Sequence, residues 1–158
     1  MMKKIVLWVL TLSVALGIFM FSEQSAEQSS AISGAVTQGL LGSLFSFFEF
    51  TEDQQEAVHI AIRAMAHVAS FALLGLFDSL LVQSYRLKWW LLITFGSCAA
   101  YAVFDECHQL WLSAGRAFEW SDIAKDCIGA LIGAGLSVVV CRVVARYRAR
   151  KQKQKGGC

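Results

Sequence analysis

Apolar residues gather in four long runs, at residues 5–21, about 64–83, 89–112 and 123–145, separated by shorter polar stretches. Each run holds enough residues to carry a helix across about 30 Å of hydrocarbon. The links at 84–88 and 113–122 are short, so consecutive helices are predicted to run antiparallel. The first run follows Lys3 and Lys4, and no small-x-small cleavage pattern lies beyond it, so it is read as a retained span. Trp89 and Trp90 at one end of the third run, with Trp111 and Trp120 around the other, sit where aromatic belts mark membrane interfaces. The fold expected is all-α: a polytopic membrane protein with a four-transmembrane-helix bundle as one domain over residues 1–145.

Between the first two runs, Val36, Leu40, Leu44, Phe47 and Phe48 recur at helical spacing, while Gly34, Gly39 and Gly42 weaken a free-standing helix. This stretch is read as an extracytoplasmic amphipathic segment lying on the membrane, with a re-entrant loop as the alternative. Thr51 followed by Gln54 forms a capping box that starts the second helix well before its apolar part.

Composition supports this reading. A chain with 56% hydrophobic and only 16% charged residues is too apolar for an ordinary soluble fold of 158 residues, and the lack of proline favours uninterrupted helices. Charge is segregated along the chain. Residues 142–155 carry basic charges only, whereas residues 22–62 carry acids and no Lys or Arg. Lys3 and Lys4, then Arg86 and Lys88, then the basic tail at 146–158 fall on one side of four spans, which predicts cytoplasmic N- and C-termini. The bilayer is the expected partner. Nucleic acid is not, because no stacking aromatics accompany the basic residues. The five cysteines form no C-x-x-C pair, and four of them lie in apolar runs, where thiols act as small hydrophobes.

On this topology Arg63, His67, Asp105, Glu106, Gln109, Asp122 and Asp126 all fall in the outer part of the spans. Arg63 and His67, Asp105 and Gln109, and Asp122 and Asp126 are each four residues apart and so share helix faces. Gly129 and Gly133 continue the face of the fourth helix as a small-xxx-small stripe that lets a neighbouring backbone approach. A charge near the bilayer centre costs about 2.5–3.5 kcal/mol, so such groups are retained where they pair or meet water. Two arrangements meet that condition: ion pairs in which Arg63 or Arg116 neutralises Asp105, Asp122 or Asp126, and a pocket open to the outside that engages a polar head group. A catalytic version would use Asp105 or Glu106 as general base and His67 as acid. His67, Asp105, Glu106, His108 and Asp126 could in principle ligate a metal, but they are spread over different helices without an H-E-x-x-H pattern, so neither metal nor cofactor is expected. His108 is expected to hydrogen-bond locally, and Asp78, deep in the second span, to reach Arg86 or interfacial water.

Several of these residues together resemble the VanZ-like family of bacterial membrane proteins. Phe21-Ser22-Glu23-Gln24-Ser25 with Ser29, Ser30 and Ser33 is similar to the family's serine and glutamine stretch, and Arg63 with His67 to its R-x-x-x-H element. Asp105-Glu106-x-x-Gln109, Gly115-Arg116, Asp122, and Gly129 with Gly133 follow in the family's order. Ala114 stands where the family commonly has proline, and Asp126 where it commonly has asparagine. The resemblance implies a protein of the bacterial plasma membrane with a link to teicoplanin-type glycopeptide resistance, and it brings no catalytic mechanism. Three functions are carried forward: binding or shielding a lipid-linked envelope component, acid–base catalysis on a lipid-linked head group, and small-scale transport.

The topology predicts that, in a variant freed of native cysteines, single cysteines at Gln38 and Ala117 react with an impermeant reagent added to intact cells. Cys158 restored alone should stay unlabelled, and its labelling from outside would overturn the orientation.

Overall fold

The computed structural model describes residues 1–22, 51–112 and 117–155. The amphipathic segment expected between the first two spans, and Arg116, lie outside the described residues. Four helices make up the described chain: α1 (Met2–Ser22), α2 (Glu52–Ser84), α3 (Trp90–Leu112) and α4 (Trp120–Lys155). Among the described residues there is no strand. Met2–Ser22, Glu56–Ser84 and Trp120–Gln152 are each long and apolar enough to cross a membrane. The 23-residue α3 is not among them, because Asp105, Glu106, His108 and Gln109 dilute the apolar character of its last two turns.

The helix ends follow local chemistry. Thr51 caps α2: its hydroxyl accepts from the Gln54 backbone N–H, and the Gln54 side chain accepts in return from the Thr51 N–H at 3.0 Å, so the capping box is formed. At the other end Tyr85 caps the helix, and Arg86 turns the chain in the left-handed region at φ 57°. Beyond residue 145, where the membrane span was expected to end, α4 continues without a break to Lys155. Its Ala, Arg, Lys and Gln residues are good helix formers, and a helix of 36 residues is about 54 Å long, well beyond the hydrocarbon thickness.

Contacts between the helices fix their directions. Val68 and Ala72 lie against Gly129, Ala72 and Leu76 against Gly133, and Ser79 and Gln83 against Ser137, so α2 and α4 run parallel. On α3, Tyr101 lies beside Phe71 and Ser97 beside Asp78, which makes α3 antiparallel to α2. The Tyr101 hydroxyl donates to the Ala15 carbonyl at 2.6 Å, and Phe19 meets Phe104 and His108, so α1 runs with α3. The helices therefore alternate in direction, and the Lys3, Lys4, Arg86 and Lys88 end lies together: the Lys4 ammonium sits 3.9 Å over the Tyr85 ring, and Trp8 donates to the Tyr85 hydroxyl at 3.0 Å.

The α2–α4 seam is the tightest. A Cβ on Gly75 would strike the Ala130 backbone, one on Gly129 the Val68 carbonyl, and one on Gly133 the Ala72 carbonyl. Farther along the seam, the wholly buried Ser79 and Ser137 hydroxyls are 2.7 Å apart and both accept from Gln83 Nε2, an interhelical polar clamp of the kind membrane bundles use. The apolar core beside it holds Ile18, Phe71, Leu74, Cys98, Ala102 and Ala130, while Leu12, Leu92, Ile132 and Val139 face outward. Asp78 does not pair with Arg86; it accepts a 2.9 Å hydrogen bond from the Ser97 hydroxyl of α3, which lies much nearer in the packed structure than the turn carrying Arg86.

Gly133→Ala should lower the unfolding free energy of the detergent-solubilised protein by about 1–3 kcal/mol, because the opposing atoms are backbone and cannot move aside cheaply. Gly135→Ala, with nothing near its added Cβ, is the control and should leave thermal unfolding unchanged. Equal effects of the two substitutions would show that the seam is not close-packed.

Candidate functional site

The polar residues meet at the end of the helices opposite Lys4 and Tyr85. One helical turn before the glycine contact, the seam brings His67 of α2 against α4, with His67 Nδ1 3.0 Å from Asp126 Oδ1 and Nε2 3.7 Å from Asp122 Oδ2. The imidazole thus lies between the two carboxylates whose four-residue spacing placed them on one face. Asp126 is 2% exposed and among the largest fully buried side chains.

Asp122 gathers the cations. Lys125 Nζ is 2.6 Å from its Oδ1, and Arg63 Nη2 3.7 Å from its Oδ2. The Arg63 and Lys125 side chains keep 38% and 33% of their surface exposed, so they form the rim of the cluster around a buried carboxylate. Lys125 was not among the site residues expected from sequence, although its position three residues after Asp122 on one helix is the signal that could have identified it. Arg63 pairs with Asp122, one of the three acids expected for it; of the other two, Asp126 is taken by His67 and Asp105 by Gln109.

Asp105 and Glu106 of α3 are buried and engaged by neutral donors. Gln109 Nε2 donates to Asp105 Oδ2 at 2.8 Å, with Ser22 of α1 beside the same carboxylate. The Glu119 backbone N–H donates to Glu106 Oε1 at 2.6 Å, tying α3 to the start of α4. No sequence pattern pointed to that bond, since the donor is main chain brought in by the link. Among the described residues, neither Asp105 nor Glu106 has a cation within ion-pair distance.

His108 departs from expectation. It makes no local hydrogen bond: its ring lies 4.2 Å from the Phe19 ring and 6.1 Å from Phe104, it is 8% exposed, and neither nitrogen has a partner among the described residues. The aromatic side chains of α1 and α3 close over it before Gln109, which turns to Asp105, can be reached. Gly75 was also missed, although Gly75 and Ser79 form a small-xxx-small pair on α2 that answers the Gly129 and Gly133 stripe.

The structure therefore brings together Arg63, His67, Asp122 and Asp126 directly, and sets Asp105, Glu106 and Gln109 in an adjoining group on α3. Arg116 lies outside the described residues. Among those residues no group of three His, Cys, Asp or Glu side chains is arranged to hold a metal ion. Cys107 and Cys127 are both free thiols. In chemical terms the cluster offers buried acceptors at its centre and partly exposed cationic donors at its edge.

The family model described as VanZ/LLP1 matches residues 7–142 of the chain. No curated protein and no solved structure matches it.

A double-mutant cycle on unfolding in detergent should separate the buried contact from the rim contact. His67→Ala with Asp126→Ala is expected to show a coupling of about 1–3 kcal/mol, because both groups are buried and touch. Arg63→Ala with Asp122→Asn should couple by less than about 1 kcal/mol, since Arg63 can withdraw into water or the head-group layer. The reverse ranking would place the centre of the network at Arg63.

Proposed function

Because the chain belongs to the VanZ/LLP1 family and is a membrane protein with several apolar helices able to span a bilayer, we propose that it binds or shields a lipid-linked component of the bacterial envelope. In this reading all four helices span the plasma membrane, both termini are cytoplasmic, and the polar cluster opens to the outside. The observation that carries it is the convergence of ionisable side chains from α2, α3 and α4 at the end away from the basic residues, with Arg63 and Lys125 incompletely buried at the rim. Uncompensated ionisable groups are rare within membrane helices and usually serve a ligand path or site. Guanidinium and ammonium donors at head-group depth are suited to phosphate or carboxylate.

The His67–Asp126 contact also has the composition of an imidazole oriented for acid–base chemistry, and it supports catalysis on a lipid-linked head group as a second reading. Binding is preferred, because the remaining ring nitrogen of His67 is directed to Asp122 rather than to a place where substrate would react.

Occupying or masking an outer-leaflet target should protect most against drugs held at that surface by an acyl chain. Expression in a susceptible Gram-positive host is therefore expected to raise the inhibitory concentration of teicoplanin severalfold and that of vancomycin less, with the drug recovered unmodified. The Arg63→Ala/Lys125→Ala variant, at matched membrane levels, should lose the protection. Asp126→Asn, which restores the residue common in the family, should retain it. Modified drug in the medium, or full protection by the double rim variant, would reject the binding reading.

A further inference from the structure

At the end away from the His67 cluster, α4 outruns its neighbour. Cys141 Sγ lies 3.7 Å from Gln83 Oε1, and the Ser137 hydroxyl accepts from Gln83 Nε2 at 2.8 Å, so Arg142 stands level with Ser84, where α2 ends. The Lys4 ammonium over the Tyr85 ring and the exposed Arg86 of the following turn belong to the same end of the helices. From Arg142 the helix runs unbroken to Lys155, about 20 Å farther at 1.5 Å per residue. Residues 139–152 of this helix are all exposed.

Asp126 is the last acid in the chain, and Arg142, Arg146, Arg148, Arg150, Lys151, Lys153 and Lys155 follow it, so no acid three or four residues away on the helix neutralises them. With 3.6 residues per turn, Arg142, Arg146 and Arg150 form one ridge, and Arg148 with Lys151 lies on roughly the opposite side. A helix that lies on a membrane separates its charges from an apolar face. This one carries cations on both sides, which suits a helix that stands out from the bilayer on its root. Arg142 and Arg146 then sit at head-group depth, while Arg150 and Lys151 are about 12 Å or more beyond Arg142, past the distance of about 8 Å over which salt screens a charge.

We propose that the root of this extension is a separate lipid site, which binds anionic phospholipid through guanidinium–phosphate contacts from Arg142 and Arg146, with Lys4 and Arg86 adding positive charge at the same end. The planar arginine fork meets two phosphate oxygens at once, and basic residues clustered where a span leaves the membrane attract anionic head groups. The occupant is a lipid rather than an acidic protein, because α4 is apolar enough to cross the membrane up to this level and head groups therefore surround its root. None of the residues around His67 takes part, so the assignment is independent of the reading given to that cluster.

The test uses the full chain purified in mild detergent and exchanged into nanodiscs of equal parts phosphatidylglycerol and phosphatidylcholine, with retained lipid counted by native mass spectrometry. Wild type is expected to retain phosphatidylglycerol about fivefold over phosphatidylcholine, the scale of one Lys or Arg at a charged surface. Arg142→Gln/Arg146→Gln should lose most of that preference. Arg150→Gln/Lys151→Gln removes the same charge farther out and should keep it. All four positions are exposed, so both variants should match wild type in thermal unfolding. Arg63→Ala/Lys125→Ala, altered at the other end of the molecule, should also keep the preference. Its loss there, with retention in Arg142→Gln/Arg146→Gln, would move the anionic lipid to the His67 cluster and overturn this site. Equal losses from the inner and outer pairs would overturn it in favour of the diffuse field of the whole tail. Equal retention of the two lipids by wild type would remove the site and leave the reading of the His67 cluster standing.

Discussion

The glycine seam between α2 and α4 sets the register on which the polar site depends. Because Gly75, Gly129 and Gly133 leave no room for a Cβ, the two backbones can approach closely only when these residues face Ala130, Val68 and Ala72. Moving either helix by one residue would set side chains where only hydrogen fits. With the register held, His67 falls between Asp122 and Asp126 on one side of the seam, and Ser79 falls on Ser137 on the other. Lipid provides little hydrophobic drive for helix association, so close packing and interhelical hydrogen bonds must supply the attraction. In this protein both occur along one stripe.

The polarity of the structure is inverted relative to a soluble bundle. Large apolar side chains such as Leu12, Leu92, Ile132 and Val139 face outward, and carboxylates, serines and a histidine lie inside. An ionised side chain survives in such an interior when its partners are fixed, and the partners here come in two kinds. Asp122 and Asp126 are held by His67, Lys125 and Arg63, whereas Asp105 and Glu106 are held by the Gln109 amide, the Ser22 side chain and a main-chain N–H. The first pair is electrostatically compensated and locks α2 to α4. Among the described residues, the second is held by hydrogen bonds from neutral donors. That no stretch of α3 is apolar enough to count among the candidate spans follows from the same residues.

Substituting a different acid would not be equivalent across the cluster. Asp126 is used by His67, and an amide oxygen at that position could still accept from the imidazole. Asp122 differs, since it is the common partner of two permanent cations and cannot be replaced by a neutral acceptor without leaving both of them unpaired.

Much of this was legible in the sequence. The four apolar runs, the Thr51 and Gln54 cap, the shared faces of Asp122 with Asp126 and of Asp105 with Gln109, and the close-packing role of Gly129 and Gly133 all follow from periodicity and side-chain size. These are local properties of a helix, set by 3.6 residues per turn, and they need no knowledge of neighbours. Which cation meets which acid was decided only by the tertiary structure, because an ion pair between helices depends on their register and rotation. Of the three acids open to it Arg63 therefore meets Asp122, Asp78 accepts from Ser97 rather than pairing with Arg86, and His108 packs on Phe19 with no hydrogen bond among the described residues. The bond from the Glu119 main chain to Glu106 lay beyond any pattern of side chains, since every non-proline residue carries the same N–H and only the path of the chain determines which one arrives.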